Sequence, residues 1–465
     1  MPNREPMKQA QAMAIFRHAR EHVPAYRSFL RAEGISERKA RLITDIRDVP
    51  KTTKKNYILP YPVELRMAKG SLTKTNIIAS SSGTTGNPLY WPRGSEANKD
   101  AVAYHEYIFQ KLFGMSHERS TLAIIAFPMG VYTSGIATTL PLFDIAKRFP
   151  LTVVTAGLNR DGIIDVAARY AGQFDQVILI GHPFFIKDVL ETGAKRVNWK
   201  KCHTKLMMCS EGFTEEWRTY VMGLIGTKDP AHVLNTYGSS EMLLMATETP
   251  LSIAIRRKAV HSPRIREALF PSEAHPHNLF QYDPKRHFIE SVEGALLFTS
   301  GMEMPFVRYQ IGDEGRIFSF EEAAALAGQK VGVHRDKMPF VSLRGRLDHT
   351  ITFHGINMYP EHFHHALNTK TILKHLTGKF VLERVVDKHL SPVLQVVIEL
   401  RQEAKSSLSL VRNLTKLIKA TLEKESIEYR FLLTHVGGEL TPRVLLKPYQ
   451  DSEYFKVGVK PKYIR

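Results

Sequence analysis

The chain has 465 residues, of which 43% are hydrophobic, and its 64 Lys and Arg against 46 Asp and Glu give a formal net charge of +18. This length predicts two or three domains, and the composition excludes a disordered or low-complexity chain. Two cysteines are too few for a disulfide framework, and no apolar run reaches the ~20 residues of a transmembrane helix. Together with a polar N-terminal segment, these features predict a cytoplasmic protein without a membrane partner.

The positive charge is spread along the whole chain rather than collected in one block. Proteins that bind nucleic acids usually concentrate Lys and Arg on one face or carry a recognisable binding motif, and no such motif is present. We therefore predict no nucleic-acid partner. The charge is either a solvated basic surface or a means of attracting polyanions.

The predicted elements begin with helices and loops over residues 1–70. Farther along, apolar strand-like runs alternate with segments of helical period. The runs are TLAIIAF at 121–127, LTVVTAG at 151–157, QVILIGH at 176–182, KLMMCS at 205–210 and HVLNTYG at 232–238. This alternation predicts an α/β domain with mostly parallel strands.

The second half of the chain has a less regular pattern. Residues 255–280 are rich in Pro, His and Arg and predict a surface excursion, and the short runs GALLFTS and GRIFSF then predict a β-rich subdomain. From residue 350 the order strand, helix, strand, strand, helix, strand predicts a small α+β domain whose last strand is EYRFLLTHV at 428–436. We expect two domains, over residues 1–345 and 346–465.

The stretch SSSGTTGNP at 80–88 has five hydroxyl side chains, two glycines and no charge. Glycines let the backbone approach a ligand closely, and backbone N–H groups with Ser and Thr hydroxyls can surround phosphate oxygens. The familiar GxxxxGK[ST] loop adds a lysine that this stretch lacks, which argues against a P-loop kinase or GTPase.

Three later motifs follow this stretch in a recognisable order. They are NTYGSSE at 235–241, VRYQIGDEG at 307–315 and LRGRLDHTITFHGINMYPEHF at 343–363. With the hydroxyl-rich loop, they resemble the motifs of the adenylate-forming superfamily, which includes acyl-CoA synthetases, peptide-synthetase adenylation domains and luciferases. The segments at 16–35 and 45–58 and the run GINMYP are similar to its phenylacetate–CoA ligase branch. The resemblance covers nearly the whole chain and implies a large α/β domain with a small mobile α+β cap.

The resemblance assigns an ATP site to residues of these motifs. The loop hydroxyls would hold the β- and γ-phosphates, and the loop glycines would let the backbone approach them. The loop residues are Ser81, Ser82, Gly83, Thr84, Thr85 and Gly86. Tyr237 would lie against the adenine, Ser240 would contact the α-phosphate, and Asp313 would accept hydrogen bonds from the ribose. The remaining nucleotide-binding positions are Ser210, Glu211, Gly212 and Gly238.

The resemblance also assigns charged groups and a hinge. Glu241 would help to hold Mg²⁺, which bridges phosphate oxygens. Arg346 would reach the ribose or a phosphate from the boundary between the domains. The superfamily uses two arrangements of its small domain, one that closes on ATP and one that admits a thiol, and Asp348 stands at the hinge position.

The catalytic lysine of this branch lies in a PRSxGK motif, where this chain has TPRVLLKPY. Counting from Pro442 and Arg443 places Lys447 at the lysine position. A positive charge there would stabilise the carboxylate and the α-phosphate as they join. Because Leu446 replaces the usual Gly and Pro448 follows, Lys447 is either this lysine or a surface lysine in a diverged tail.

The acyl pocket is expected in the strand-to-helix connection AFPMGVYTSGI, because ligands of α/β sheets bind at the carboxyl ends of the strands. The candidates are Phe127, Tyr132, Ser134 and Gly135. Aromatic side chains suit an aryl or small apolar acid. The alternative is that these residues belong only to the core.

We therefore predict an AMP-forming carboxylate ligase, a monomer or homodimer that uses ATP, Mg²⁺ and coenzyme A with a small-molecule carboxylic acid. Transfer of the acyl group to an amine or to a carrier-protein thiol stays open as an alternative. The altered surroundings of Lys447 leave a further alternative, a weakened nucleotide-binding scaffold.

Overall fold

The computed structural model describes residues 5–81, 89–269, 278–326, 328, 337–346, 350–367, 372–436, 440–455 and 464. Within these ranges, no helix is both long enough and apolar enough to cross a membrane.

The N-terminal region is helical, as the sequence predicts. Its helices are α1 (Glu5–His22), α2 (Pro24–Ala32) and α3 (Glu37–Leu42). Pro24 stands at the start of α2, where its missing N–H leaves no bond unmade. Ser36 caps α3 by accepting a hydrogen bond from a first-turn amide. Aromatic residues of α1 and α2, such as Phe16 and Tyr26, are buried in a cluster that fixes these helices to the main sheet.

The large part of the molecule alternates strands and helices over residues 77–346. Its strands are β1 (Ile77–Ser80), β2 (Tyr90–Arg93), β3 (Thr121–Ala126), β4 (Leu151–Val154), β5 (Gln176–Gly181), β6 (Lys205–Met208), β7 (Val233–Ser239), β8 (Leu243–Thr247), β9 (Asn278–Gln281), β10 (His287–Val292), β11 (Ala295–Ser300), β12 (Phe306–Phe318) and β13 (Phe340–Arg346). Its helices are α4 (Ser95–Tyr107), α5 (Thr133–Ala146), α6 (Arg160–Tyr170), α7 (Pro183–Gly193), α8 (Glu215–Ile225), α9 (Pro250–His261), α10 (Pro263–Leu269) and α11 (Phe320–Leu326).

In the described part of the chain, eleven of these strands form one sheet in the order β10-β11-β12-β13-β9-β8-β7-β6-β5-β3-β4. Neighbours from β4 to β7 are parallel, and those from β7 to β10 are antiparallel. Every residue of β3 and β5 is buried, because helices cover both faces of this half, which explains their uninterrupted apolar runs. The predicted α/β fold class is confirmed, and the β-rich part continues the same sheet.

Where the structure describes the predicted surface excursion before β9, it consists of helices with one buried face, and most of its residues are partly or fully exposed. Residues 250–269 form α9 and α10, and Ile255, Arg256 and Ala259 are buried. Pro250 follows the capping residue Thr249, so the local sequence starts a helix whose apolar face then packs against the sheet.

The C-terminal part is a small α+β unit. Its elements are β14 (Ile351–Phe353), β15 (Ile356–Met358), α12 (Pro360–Leu367), β16 (Leu376–Val386), β17 (Pro392–Leu400), α13 (Leu408–Glu425), α14 (Ile427–Val436) and β18 (Arg443–Lys447). β14 and β15 form a hairpin, and a second sheet has the order β16-β17-β18 with β18 parallel to β17.

The predicted strand at 428–436 is wrong, since this segment is the helix α14. Ser426 accepts a hydrogen bond from the Tyr429 amide at 3.2 Å, which caps the helix. Tyr429 and Leu432 are buried, and the Tyr429 hydroxyl donates to the Leu440 carbonyl at 2.9 Å. Helix capping and burial thus override the apolar, strand-like composition.

Candidate active site

A cleft with a cavity volume of about 120 Å³ lies between the large sheet and the C-terminal part. Its floor is formed where β3, β5, β6 and β7 end, which is where parallel sheets place ligands. The contributing residues include Tyr132, Thr133 and Ser134 after β3, His182 after β5, Ser210 after β6, Ser240 after β7, His354–Ile356 of the β14–β15 hairpin, and Glu428 and Phe431 of α14. Segments far apart in sequence thus converge on one space.

The hydroxyl-rich loop begins at this cleft. Ser80, the last residue of β1, lines it and accepts a hydrogen bond from the Thr133 hydroxyl at 3.0 Å. The Ser81 amide donates to the Leu89 carbonyl at 2.8 Å, which closes the base of the β1–β2 hairpin. The other predicted loop residues and the predicted hinge lie outside the described residues, namely Ser82, Gly83, Thr84, Thr85, Gly86 and Asp348.

Two of the four predicted acyl-pocket residues line the cleft, and the other two lie behind its surface. Tyr132 and Ser134 line the cleft, and the Tyr132 ring lies 5.1 Å from that of Phe431. Phe127 is buried in the core with its ring edge against His182. Gly135 faces the carbonyl of Pro128 so closely that a Cβ would lie 2.3 Å from its oxygen, so that no larger residue fits this turn.

Two of the predicted nucleotide-binding side chains are hydrogen-bonded to each other. The Tyr237 hydroxyl donates to Asp313 Oδ2 at 2.5 Å, and the Tyr237 ring is buried in a stack on Phe280. The backbone of Asp313 pairs with that of Arg346 across β12 and β13. A Cβ on Gly238 would lie 2.7 Å from the Leu243 carbonyl oxygen, which explains the glycine at this bulge.

Glu241 is buried below the β7–β8 turn. Its carboxylate accepts a hydrogen bond from the Tyr309 hydroxyl at 3.4 Å, and Arg93 donates to the backbone carbonyls of Ser240 and Glu241. Burial lowers the pKa of Arg93 to about 10, against the opposing effect of Glu241 and Glu303.

The donor set at Glu241 fits a magnesium ion that arrives with a nucleotide. In the described residues, its Oε2 makes no hydrogen bond, and no group of three carboxylate, His or Cys ligands surrounds it. Mg²⁺ is commonly held by one or two carboxylates together with substrate phosphates and water, rather than by a full cage of protein ligands.

Ser210, Glu211 and Gly212 connect the large sheet to the C-terminal part. The Gly355 amide donates to Glu211 Oε1, and the Arg384 guanidinium lies 3.7 Å from Glu211 Oε2 and donates to the Gly212 carbonyl at 2.7 Å. Burial raises the pKa of Glu211, while Arg384 and the Gly355 amide oppose that shift.

Two histidines line the cleft, His182 after β5 and His354 of the β14–β15 hairpin. A Cβ on Gly355 would lie 2.4 Å from the His182 ring, so the β14–β15 turn packs directly on this ring. Burial lowers the pKa of His182 to about 4 and that of His354 to about 3. Both imidazoles are therefore neutral at neutral pH.

Lys447 is not brought to the cleft. It ends β18, where its ammonium lies 3.4 Å from Glu453 Oε2 and 4.8 Å from the centre of the Tyr454 ring. Its role as the adenylation lysine stays a prediction that requires a second arrangement of the C-terminal part.

Comparisons with known proteins agree with this geometry. A scan against protein-family models finds no match. The phenylacetate–coenzyme A ligase of Escherichia coli (strain K12) is 23% identical over 391 residues, covering 83% of this chain and 80% of that protein. Its counterpart from Aromatoleum evansii is 23% identical over 393 residues, with the same coverage of both chains. The chain thus resembles phenylacetate–CoA ligases over most of its length.

Solved structures with the same fold include a CoA ligase in two states. 2-Hydroxyisobutyryl-CoA ligase in complex with 2-HIB-AMP and CoA, in the thioesterification state, is 15% identical with a TM-score of 0.63. That match covers 100% of this chain and 90% of the other. The same ligase in the postadenylation state with R3-HIB-AMP is 13% identical with a TM-score of 0.57, covering 100% and 89%.

The cleft also contains residues that the sequence analysis missed. His182 follows β5 directly, and the position of active sites at strand ends could have identified it. Glu428 and Phe431 could not be found in this way, because they reach the cleft only when residues 427–436 form a helix.

Proposed function

We propose that this chain is an AMP-forming carboxylate ligase. It joins an organic acid to the α-phosphate of ATP, releases pyrophosphate, and passes the acyl group from the acyl-adenylate to coenzyme A. One observation carries the proposal: Ser80, Ser210, Ser240 and Gly355, each adjacent to or within a different superfamily motif, line a single cleft. The phenylacetate–CoA ligases and the 2-hydroxyisobutyryl-CoA ligase named above support the same reaction.

The proposed roles follow the positions of the side chains. Asp313, oriented by Tyr237, binds the ribose; Glu241 provides a carboxylate to Mg²⁺; and Ser240 lies at the α-phosphate. Adenylation brings two anions together, so its rate depends on fixed positive charge and on the metal. Residues 1–345 bind ATP and the acid, and residues 346–465 form the mobile cap.

The acid is proposed to be aryl or small. The cleft has Tyr132 and Phe431 on one side and the neutral rings of His182 and His354 on another. These surfaces offer apolar contact to a planar or short side chain, and none of the described residues that line the cleft is a Lys or an Arg.

The test is a panel of carboxylic acids with ATP and Mg²⁺, read out by pyrophosphate release and by mass spectrometry of the products. We expect acid-dependent pyrophosphate release without CoA, and AMP with a thioester when CoA is added. If the product were an amide or an acylated carrier protein instead of a CoA thioester, the acceptor would be an amine or a carrier-protein thiol rather than coenzyme A. Absence of ATP-dependent turnover with every acid would contradict the proposal and favour the scaffold alternative.

Lys447→Ala tests the catalytic assignment within this experiment. We expect pyrophosphate release to fall at least ~100-fold, as when one stabilising charge is removed from a transition state. Lys419→Ala is the control, since Lys419 is a partly exposed lysine of α13 in the same part of the chain. Equal rates in the two variants would show that a different cation acts in adenylation.

A further inference from the structure

α14 brings a buried carboxylic acid to the cleft. Glu428 is only 3% exposed, and neither oxygen of its carboxyl group has a hydrogen-bond partner of ordinary geometry among the described residues. A buried, unpaired carboxyl group destabilises the fold, and an apolar side chain of similar size would be more stable there. The position of Glu428 is therefore better explained by a ligand than by packing.

The groups that act on Glu428 or line the same cleft come from four other segments. They are Lys54 after the N-terminal helices, Tyr132 after β3, His182 after β5, and His354 with the Asn357 amide from the β14–β15 hairpin. Burial raises the pKa of Glu428 to about 8, although Lys54 and the Asn357 amide act in the opposite direction.

Only Glu428 in this set is suited to take a proton from a thiol. A base acts best when its pKa is near that of its partner, and a free thiol has a pKa of about 8.5. The pKa values of His182 and His354 are far lower, which makes both imidazoles weak bases. Burial also raises the pKa of Tyr132, so this phenol stays protonated.

The first half-reaction does not need this carboxyl group. ATP and the acid substrate are anions, and a third negative charge beside them would oppose their approach. Glu428 is mostly protonated, and therefore uncharged, at neutral pH, so it does not oppose the binding of the two anions during adenylation. Its ionised form can accept a proton in the second half-reaction.

We propose that Glu428 is the proton acceptor for the thiol of coenzyme A during thioester formation, an inference that rests on the proposed function. The S–H bond breaks and its proton moves to a carboxylate oxygen of Glu428. The sulfur forms a bond to the acyl carbon, the bond from that carbon to the phosphate oxygen breaks, and AMP leaves with the electron pair. Solvent then takes the proton from Glu428.

The experiment separates the two half-reactions. Enzyme is loaded with acyl-adenylate from ATP, Mg²⁺ and an acid of the panel in the presence of pyrophosphatase, and is then mixed rapidly with CoA. In Glu428→Gln we expect thioester formation to slow about 100-fold, within the range for loss of a general base, while acid-dependent pyrophosphate release changes less than about twofold. The wild-type transfer rate should rise through a pKa of about 8, whereas the rate of the variant should rise only as the CoA thiol itself ionises with a pKa of about 8.5, so that the difference between the two rates shrinks at higher pH.

Controls distinguish the possible failures. Glu423→Gln removes a partly exposed carboxylate of α13 and should leave both half-reactions unchanged. Retained pyrophosphate release shows that Glu428→Gln is folded. Equal transfer rates and pH profiles in wild type and Glu428→Gln would overturn the inference alone, whereas a wild-type protein without acid-dependent pyrophosphate release would overturn the proposed function as well.

Discussion

At the scale of single residues, Tyr237 is held by both its ring and its hydroxyl in the proposed nucleotide site. Its ring stacks on Phe280 with centroids 5.9 Å apart, and its hydroxyl donates to Asp313 at 2.5 Å. Hydrogen bonds to a charged acceptor are short and strong, so the Asp313 carboxylate has a fixed orientation. The sequence motif predicts a Tyr at the adenine, whereas the structure indicates that this Tyr also orients the residue proposed to bind the ribose.

Tyr237→Phe should therefore weaken ATP binding. The variant keeps the ring and removes the hydrogen bond to Asp313, whose net contribution is about 1.5–3 kcal/mol for a charged acceptor. We expect the KM for ATP to rise about tenfold or more, with kcat changed less than about twofold, in steady-state assays of pyrophosphate release.

The matched control for this variant is Tyr26→Phe. Tyr26 is also buried, and its hydroxyl has no hydrogen-bond partner among the described residues. Its removal should leave the KM for ATP unchanged. If Tyr237→Phe behaved like this control, Asp313 would not depend on Tyr237 for its orientation.

At the scale of elements, the β14–β15 hairpin connects the C-terminal part to the cleft. Its two turn residues, His354 and Gly355, have φ of 49° and 79°, as a tight hairpin turn with a right-handed twist requires. Glycine is needed at the second position for a further reason, because a Cβ would lie 2.4 Å from the His182 ring. The positive φ and the close approach to His182 thus both require glycine at position 355.

Gly355→Ala should slow thioester formation at least about tenfold and leave pyrophosphate release nearly unchanged. The added methyl group displaces the hairpin from His182 and thereby shifts the wall of the cleft beside Glu428, the proposed proton acceptor. Rapid mixing of the loaded enzyme with CoA measures the effect.

Gly294→Ala controls for backbone strain. Gly294 has φ +86° at another turn, and a Cβ there meets nothing within 4 Å. The two variants share the conformational cost of about 1 kcal/mol, so only the collision with His182 differs between them. Similar transfer rates in both would contradict the proposed contact.

The elements also show what the sequence can predict. β3 and β5 are recognisable because central parallel strands are buried on both faces and therefore uniformly apolar. α14 is not recognisable from the sequence, because a short apolar run such as EYRFLLTHV suits a helix and a strand equally well. Its conformation is set by the Ser426 cap and by the contact between Tyr429 and Leu440, a tertiary contact that local composition does not contain.

At the scale of the whole molecule, polar contacts join the C-terminal part to the large sheet. Gly355 donates to Glu211, Arg384 donates to the Gly212 carbonyl, and the Lys187 ammonium donates to the Ser391 hydroxyl at 3.1 Å. A second arrangement of the C-terminal part, which would bring Lys447 to ATP, must break these bonds. Sequence motifs predict which segments form the cleft. They do not predict the observed position of the C-terminal part, because that position depends on contacts between residues more than a hundred positions apart.

The burial of Glu428 between these two parts makes the stability of the molecule depend on pH. Its pKa is about 8 in the folded protein, against 4.5 for an unperturbed Glu. Between these two pKa values the folded state binds more protons than the unfolded state. The contribution of Glu428 to the free energy of unfolding is therefore fully present below the lower pKa and is lost as pH rises through about 8. At 1.36 kcal/mol per pKa unit, the loss amounts to roughly 5 kcal/mol.

Glu428→Gln should remove this dependence because the amide does not titrate. In urea unfolding across that pH interval, we expect the wild-type midpoint to fall with rising pH more steeply than that of the variant, so that the variant is the more stable protein at the alkaline end. Glu423→Gln should follow the wild-type slope, since Glu423 is partly exposed to solvent. Parallel slopes for wild type and Glu428→Gln would mean that this carboxyl group is solvated, and hence that α14 does not bury it in the cleft.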